Sequence, residues 1–274
     1  MRKLLHSNFI RLRNSLSLGF SLAFFLLWNG IMLFSSYDVM VKLESDMPLD
    51  SVIFAFLFII GIVMSVLISL FIGTDYSDGT IRNKIIIGQS RNSIYAANLV
   101  TCAFMGLLLF LWGLAVNLAI GIPLFGMPQM PANTFGLLFL DSLLVIIAYA
   151  SIFNVIGMLC SNKAHSVMIC ILAAFVLLFI AIFIYSELAQ PEMYEAVSIT
   201  NGESSLEMMA NPNYISGIKR EIYQFFMDFL PSGQCSQIGN LEVPHPFRMG
   251  IYSLLIIIVS NILGIFCFRK KDLK

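Results

Sequence analysis

Six stretches of the chain are almost continuously apolar for about twenty residues or more: Leu16–Tyr37, Val52–Gly73, Ala97–Ile122, Phe135–Cys160, Ala164–Tyr185 and Met249–Phe268. An α-helix rises ~1.5 Å per residue, so about 20 such residues cross a hydrocarbon core ~30 Å thick. Each stretch therefore predicts a membrane span. The strands of a membrane barrel would alternate apolar and polar positions over about ten residues, and no such alternation occurs. The first stretch is too long for a signal-peptide core. It runs into Ser36-Tyr37-Asp38 without a small-residue cleavage site, and is read as retained. The predicted fold is an all-α integral membrane protein, one transmembrane domain over residues 1–274 with six transmembrane helices.

Three segments outside the spans carry their own patterns. In residues 1–15, Leu5, Phe9, Leu12 and the following Leu16 fall on one narrow helical stripe, with Arg2, Lys3, Arg11 and Arg13 off it. This predicts an N-terminal interfacial amphipathic helix; the alternative is a basic flank that only sets topology. In residues 74–96, Asp78 and Thr80 are good N-caps, Gly88 is a good stop, and Ser90 can cap the next helix. A helix of about two turns is left over Ile81–Ile87. Ile81 and Ile85 share a face while Ile86 and Ile87 point elsewhere, so either the protein's own helix ends or a partner must cover this helix.

Residues 186–248, between spans five and six, are too long for a passive turn. Ile215, Ile218, Ile222, Phe225, Phe226 and Phe229 form a stripe opposite Arg220, Glu221, Gln224 and Asp228. Asn211-Pro212 and Pro231 supply start and stop signals. The pattern predicts a large external segment containing an amphipathic helix, at the membrane surface or over the bundle. A small capping subdomain is the alternative.

Composition agrees with the spans: 58% of residues are apolar and 12% charged, against roughly 25% charged in soluble domains. Nucleic acid is excluded as a partner by the charge balance, and disorder by the apolar content. The formal net charge is zero, but it is two cancelling halves. Twelve of the 16 basic residues flank the spans on the side of the termini, giving that side +9; the other side carries −8, and Asp141 lies within span four. The positive-inside rule then puts both termini in the cytoplasm of a multi-pass protein. Of the five cysteines only Cys235 falls outside the membrane on the far side, so no external disulfide is available there.

Within the spans, Gly61, Ser65, Ser69 and Gly73 recur at a spacing of four and open one face of span two to close approach, a helix-packing signature. Asp141 sits within two turns of the outer end of span four, either as a solvated end or as a possible polar residue lining a pathway. Asn117 and Asn154 read as interhelical hydrogen-bond partners. No phosphate-binding loop, nucleophile elbow or His-Glu-x-x-His occurs, so no catalytic, cofactor-binding or metal site is expected.

Asp75-Tyr-Ser-Asp-Gly-Thr-Ile-Arg-Asn-Lys, then Gly88-Gln-Ser-Arg91 and Ile94-Tyr95 before span three, resembles the membrane permeases of ABC-2 type exporters. Phe266-x-Phe-Arg-Lys-Lys-Asp-Leu273 is similar to the usual tail of that family, and the six-span layout with a large outer segment matches as well. The resemblance implies a permease subunit in the bacterial cytoplasmic membrane, paired with a second permease, identical or related. It also implies two separate ABC ATPase subunits that bind ATP, this chain binding no cofactor itself. Asp75, Gly79, Thr80, Ile81, Arg82, Ile85, Gly88 and Arg91 would form the coupling segment that docks on the ATPase. Antimicrobial peptides, bacteriocins or drugs would be the substrates. A stand-alone immunity protein or secondary carrier working without an ATPase is the competing class.

Overall fold

The computed structural model describes residues 1–200 and 203–272. Its elements are α1 (Arg2–Arg13), α2 (Leu16–Lys42), α3 (Asp50–Ile53), α4 (Leu57–Ser77), α5 (Thr80–Ile86), α6 (Arg91–Phe125), α7 (Ala132–Leu159), α8 (Lys163–Leu188), β1 (Met193–Thr200), β2 (Glu203–Ala210), α9 (Gly217–Phe229), α10 (Pro231–Gly239) and α11 (Pro246–Lys270). Among the described residues, six helical segments are long and apolar enough to cross a membrane: α2, α3 with α4, α6, α7, α8 and α11. They coincide with the six apolar stretches, extended by up to six residues at their ends.

The centre of the bundle is α4, α6 and α7, whose Leu57, Ile60, Met64, Phe110, Ile146 and Phe153 are fully buried. Around it pack α2, α8 and α11, which turn Phe20, Phe34, Leu172, Phe179, Ile258 and Ile262 outward. Large apolar side chains on the outside of a helix bundle are the surface expected of a protein solvated by lipid. This is a multi-pass, helical membrane protein.

Span two is not one helix. The chain turns at Phe54-Ala55-Phe56 between α3 and α4, which frees backbone carbonyls inside the bundle. Asn117 of α6 satisfies them, its Nδ2 donating to the carbonyls of Val52 (3.2 Å) and Ile53 (3.0 Å). The Val52 carbonyl also accepts from the Ala55 N–H (3.1 Å), so the amide matters most to the Ile53 carbonyl, which would be costly to leave unpaired there.

Both termini lie at one end of the bundle, called here the terminal end: α1 contacts the end of α4, and Lys271 reaches the ends of α4 and α7. The predicted helix of residues 1–15 is present as α1, but its buried face is Leu4, Asn8 and Leu12, against α6. Leu5 and Phe9 are only partly covered, and Leu16 belongs to α2 and is exposed. The opposite, distal end holds two elements that hydrophobic periodicity did not signal. One is the antiparallel hairpin β1–β2, with Met193 opposite Ala210 and Tyr194 opposite Met209. The other is α10, a nine-residue helix buried along its entire length.

Candidate functional site

At the terminal end, α4 closes on Asp78, and Gly79 takes a left-handed backbone (φ 65°) that reverses the chain into α5. Gly79, rather than Asp78 or Thr80, is therefore the N-cap of α5. Asp78 is one residue too early, and Thr80 is already the first helical residue. The Thr80 hydroxyl donates instead to the Asp75 backbone carbonyl (3.0 Å) and to the Asp75 carboxylate. At the other end of α5, Gly88 sits at φ 90°. Its N–H bonds the Ile85 carbonyl (2.9 Å), and the Gln89 N–H bonds that of Lys84 (3.0 Å). This paired arrangement is a Schellman stop, which glycine completes without a steric penalty. Ser90 then caps α6, its Oγ accepting from the Ser93 N–H (3.2 Å).

Asp75 is fully buried and gathers this corner. It forms ion pairs with Arg11 of α1 and with Lys84 of α5 (3.2 Å), besides its bond from Thr80. Lys84 also donates to Asn8 Oδ1 (3.3 Å), and Asn8 Nδ2 donates to Asn98 Oδ1 (2.9 Å) and Thr101 Oγ1 (3.3 Å) of α6. One polar network thus joins α1, α4, α5 and α6. The Arg11 guanidinium also stacks 3.8 Å from the Phe71 ring centroid. Burial, with the nearby Arg11 charge, pushes the Lys84 ammonium down to about 8. The carboxylate it faces is what keeps a cation there.

Arg91, at the start of α6, lies outside that network. Its Nη1 donates to the carbonyls of Phe268 (3.1 Å), Arg269 (2.9 Å) and Lys271 (2.5 Å). Those are the carbonyls left without partners where α11 ends, and a cation there also suits the negative end of the helix dipole. Lys271 returns the tie by donating to the Tyr76 hydroxyl (2.9 Å) and the Met158 carbonyl (3.0 Å).

Of the isoleucines, Ile81 is buried and Ile85 half-buried, while Ile86 and Ile87 are 80% and 78% exposed. Arg82 is exposed beside them. Of the residues expected to form a coupling segment, Asp75, Thr80, Ile81 and Arg91 are tied into the bundle, Ile85 is half-buried, Gly79 and Gly88 shape the turns, and Arg82 is exposed, as are its neighbours Ile86 and Ile87.

The small residues of span two lie on buried surface. A Cβ added to Gly61 would come 2.8 Å from Tyr149 Cζ of α7, and one on Gly73 would come 3.1 Å from Lys163 Cα of α8. Ser65 and Ser69 are fully buried, each hydroxyl returned to a carbonyl three residues back. Asp141 of α7 is 7% exposed, close to Gly250 of α11, and its Oδ2 has no hydrogen-bond partner. It is a buried carboxylate rather than a solvated helix end.

The distal end holds a second buried aspartate that the sequence pattern had put on the solvent side. Asp228 of α9 is 2% exposed. Its Oδ1 accepts from Gln224 Nε2 (2.8 Å) and Gln237 Nε2 (3.2 Å), and its Oδ2 pairs with His245 Nδ1 (3.2 Å). Gln234 of α10 adds bonds to the Asp228 carbonyl (2.7 Å), the Met249 carbonyl (3.2 Å) and Ser253 (2.6 Å). The apolar stripe of α9 faces outward instead: Ile218, Ile222, Phe225 and Phe226 are exposed. Phe225 and Phe229 pack on Tyr252 of α11, so the stripe continues the outward apolar surface of that span. The helix is amphipathic as predicted, with its polar face turned inward. In water this would be inside out; against lipid it is the favourable orientation.

Among the described residues no cluster of His, Cys, Asp and Glu has the composition of a metal site. No family model matches the chain, and no curated protein matches it either.

Proposed function

We propose that the chain is the membrane-spanning permease subunit of an ATP-driven ABC-2 type exporter, with both termini cytoplasmic and two ATPase subunits docked at its terminal end. The observation that carries this reading is α5, a two-turn helix tied to three others while Ile86 and Ile87 at its tip stand in the open. Burying an isoleucine stabilises by roughly 1.5–3 kcal/mol, so this pair is a strong apolar contact in waiting. In this reading Ile86, Ile87 and Arg82 touch the ATPase. Asp75, Thr80 and Arg91 are positioning residues that pass its movement to α1, α4 and α11. The chain binds no nucleotide itself; it pairs with a second permease, identical or related, in the bacterial cytoplasmic membrane. Antimicrobial peptides, bacteriocins or drugs are the proposed substrates. The exposed apolar residues of α1, such as Ile10, rest on the inner leaflet.

Purification from native membranes in mild detergent tests this. An ATPase chain should co-purify with the wild type and be lost from I86D/I87D, with the melting temperature unchanged because both side chains are exposed. Full recovery of the ATPase with that variant would overturn the docking assignment.

The unpartnered carboxylate oxygen of Asp141 favours a second reading, a carrier that works without an ATPase. Transport that persists after ATP depletion and is abolished by D141N would select it.

A further inference from the structure

A cavity of about 440 Å³ lies at the distal end, between the end of α8, the inner side of α9, the end of α10 and the segment leading into α11. That volume falls in the small-molecule range of roughly 300–1,000 Å³. We propose that it binds a compact zwitterion with an apolar body, of the size of a short peptide with free ends.

Arg220 and Glu242 both line the cavity, yet they form no ion pair with each other. The described contacts of the Arg220 guanidinium are a long bond to the Ile215 carbonyl (3.5 Å) and the Tyr214 ring 5.3 Å away. Most of its five donors remain for a ligand, in a fork that suits a carboxylate or phosphate. Glu242 is an exposed acceptor for an ammonium group. Opposite charges on two different elements of the lining, not paired with each other, match a ligand that carries both signs.

The rest of the lining defines the body of that ligand. Leu188, Met227 and Val243 supply apolar surface, and Gln224 and Gln237 supply polar surface. Those two amides are not free to swing, because both are pinned to the buried Asp228 and Gln224 also donates to Gln237 Oε1 (3.1 Å). A fixed polar lining costs little further ordering when a ligand binds, which is the condition for selective recognition. The site does not depend on whether an ATPase docks at the other end.

Calorimetry on the full chain in detergent, with Leu-Leu, its N-acetyl form, its C-terminal amide and glycerophosphoethanolamine, tests the proposal. The wild type should bind a zwitterion, with either blocked dipeptide weaker by about tenfold or more, equivalent to about 1.4 kcal/mol. R220Q should bind Leu-Leu no better than its amide, and E242Q no better than its N-acetyl form. Both side chains lie off the core, so the variants should melt with the wild type. Tighter binding of Leu-Leu assigns the site to peptides, and tighter binding of glycerophosphoethanolamine to a lipid headgroup; either supports a zwitterion site. Absence of binding by both zwitterions, or affinities that neither substitution changes, would overturn it.

Discussion

At the terminal end Asp75 meets two cations, Arg11 and Lys84, each brought by a different helix. At the distal end Asp228 meets two glutamine amides and a histidine. Both carboxylates are buried, but Asp75 reaches Arg11 from 64 residues away, whereas the partners of Asp228 all lie within 17 residues of it. The first is an ion-paired lock of one anion between two cations, in which removing the anion strands both. The second is a hydrogen-bond hub, in which most partners are neutral and can rebond. Loss of the carboxylate is therefore worse at the first corner, which carries the exposed isoleucines of α5, than at the second, which borders a cavity and fixes its polar lining.

The largest expected effect is that of D75L, which leaves Arg11 and Lys84 buried without a counter-charge. Loss of about 3–5 kcal/mol is expected, read from thermal or denaturant unfolding in detergent. The triple variant R11M/D75L/K84M should recover most of that loss, since an apolar replacement of a whole buried ionic network is often neutral. If the triple variant is as unstable as D75L, charge balance is not what the corner depends on.

Next comes G233A, in the first turn of α10. Its added Cβ would lie 2.4 Å from the Met227 carbonyl oxygen, a backbone atom that cannot move aside. A loss at the upper end of about 1–3 kcal/mol is expected in the same unfolding measurement. It should weaken zwitterion binding at the neighbouring cavity while leaving ATPase association intact. An equal effect on both would mean the two ends are not independent.

D228N should cost less, about 1–2 kcal/mol. The amide keeps an acceptor oxygen for Gln224 and Gln237, and its nitrogen can donate to a neutral His245. A cost as large as that of D75L would erase the proposed contrast between the two aspartates.

The smallest effect concerns pH. Burial pushes the Lys271 ammonium down to about 8, below the ~10.4 of a free lysine. A lysine depressed on folding makes the native state costly while it is charged, below pH 8. That cost is relieved as pH rises from about 8 towards 10.4. Wild-type melting temperature should therefore gain a small increment over pH 8 to 9.5, and K271M should show a smaller one, because Lys84, also lowered to about 8, keeps its own share. A K271M profile identical to the wild type would remove Lys271 from the terminal network.

Much of the terminal end was legible locally. Gly88 and Ser90 announced a stop and a cap because those roles depend on residues within one turn. Helical spacing separated Ile81 and Ile85 from Ile86 and Ile87, but which face would be buried came only from the packing. The burial of Asp75 did not, because its partner Arg11 lies 64 residues away. Nor did the role of Arg91, whose carbonyl partners lie 177 to 180 residues downstream. At the distal end the amphipathic stripe of α9 was plain, but not which face would turn inward, since water and lipid reverse the answer. Pro231–Gly239 shows no apolar periodicity at all, and became a buried helix because neighbouring helices supply hydrogen bonds for its serines and glutamines.

The sequence by itself determined the number of spans, their lengths and the segregation of charge between the two ends. These follow from helix rise, hydrocarbon thickness and the cost of moving charge through lipid, all of which act on short stretches of chain. Only the tertiary structure decided which polar residues would be buried. A polar side chain can leave solvent only where other helices bring it partners, and no local pattern records which helices those will be.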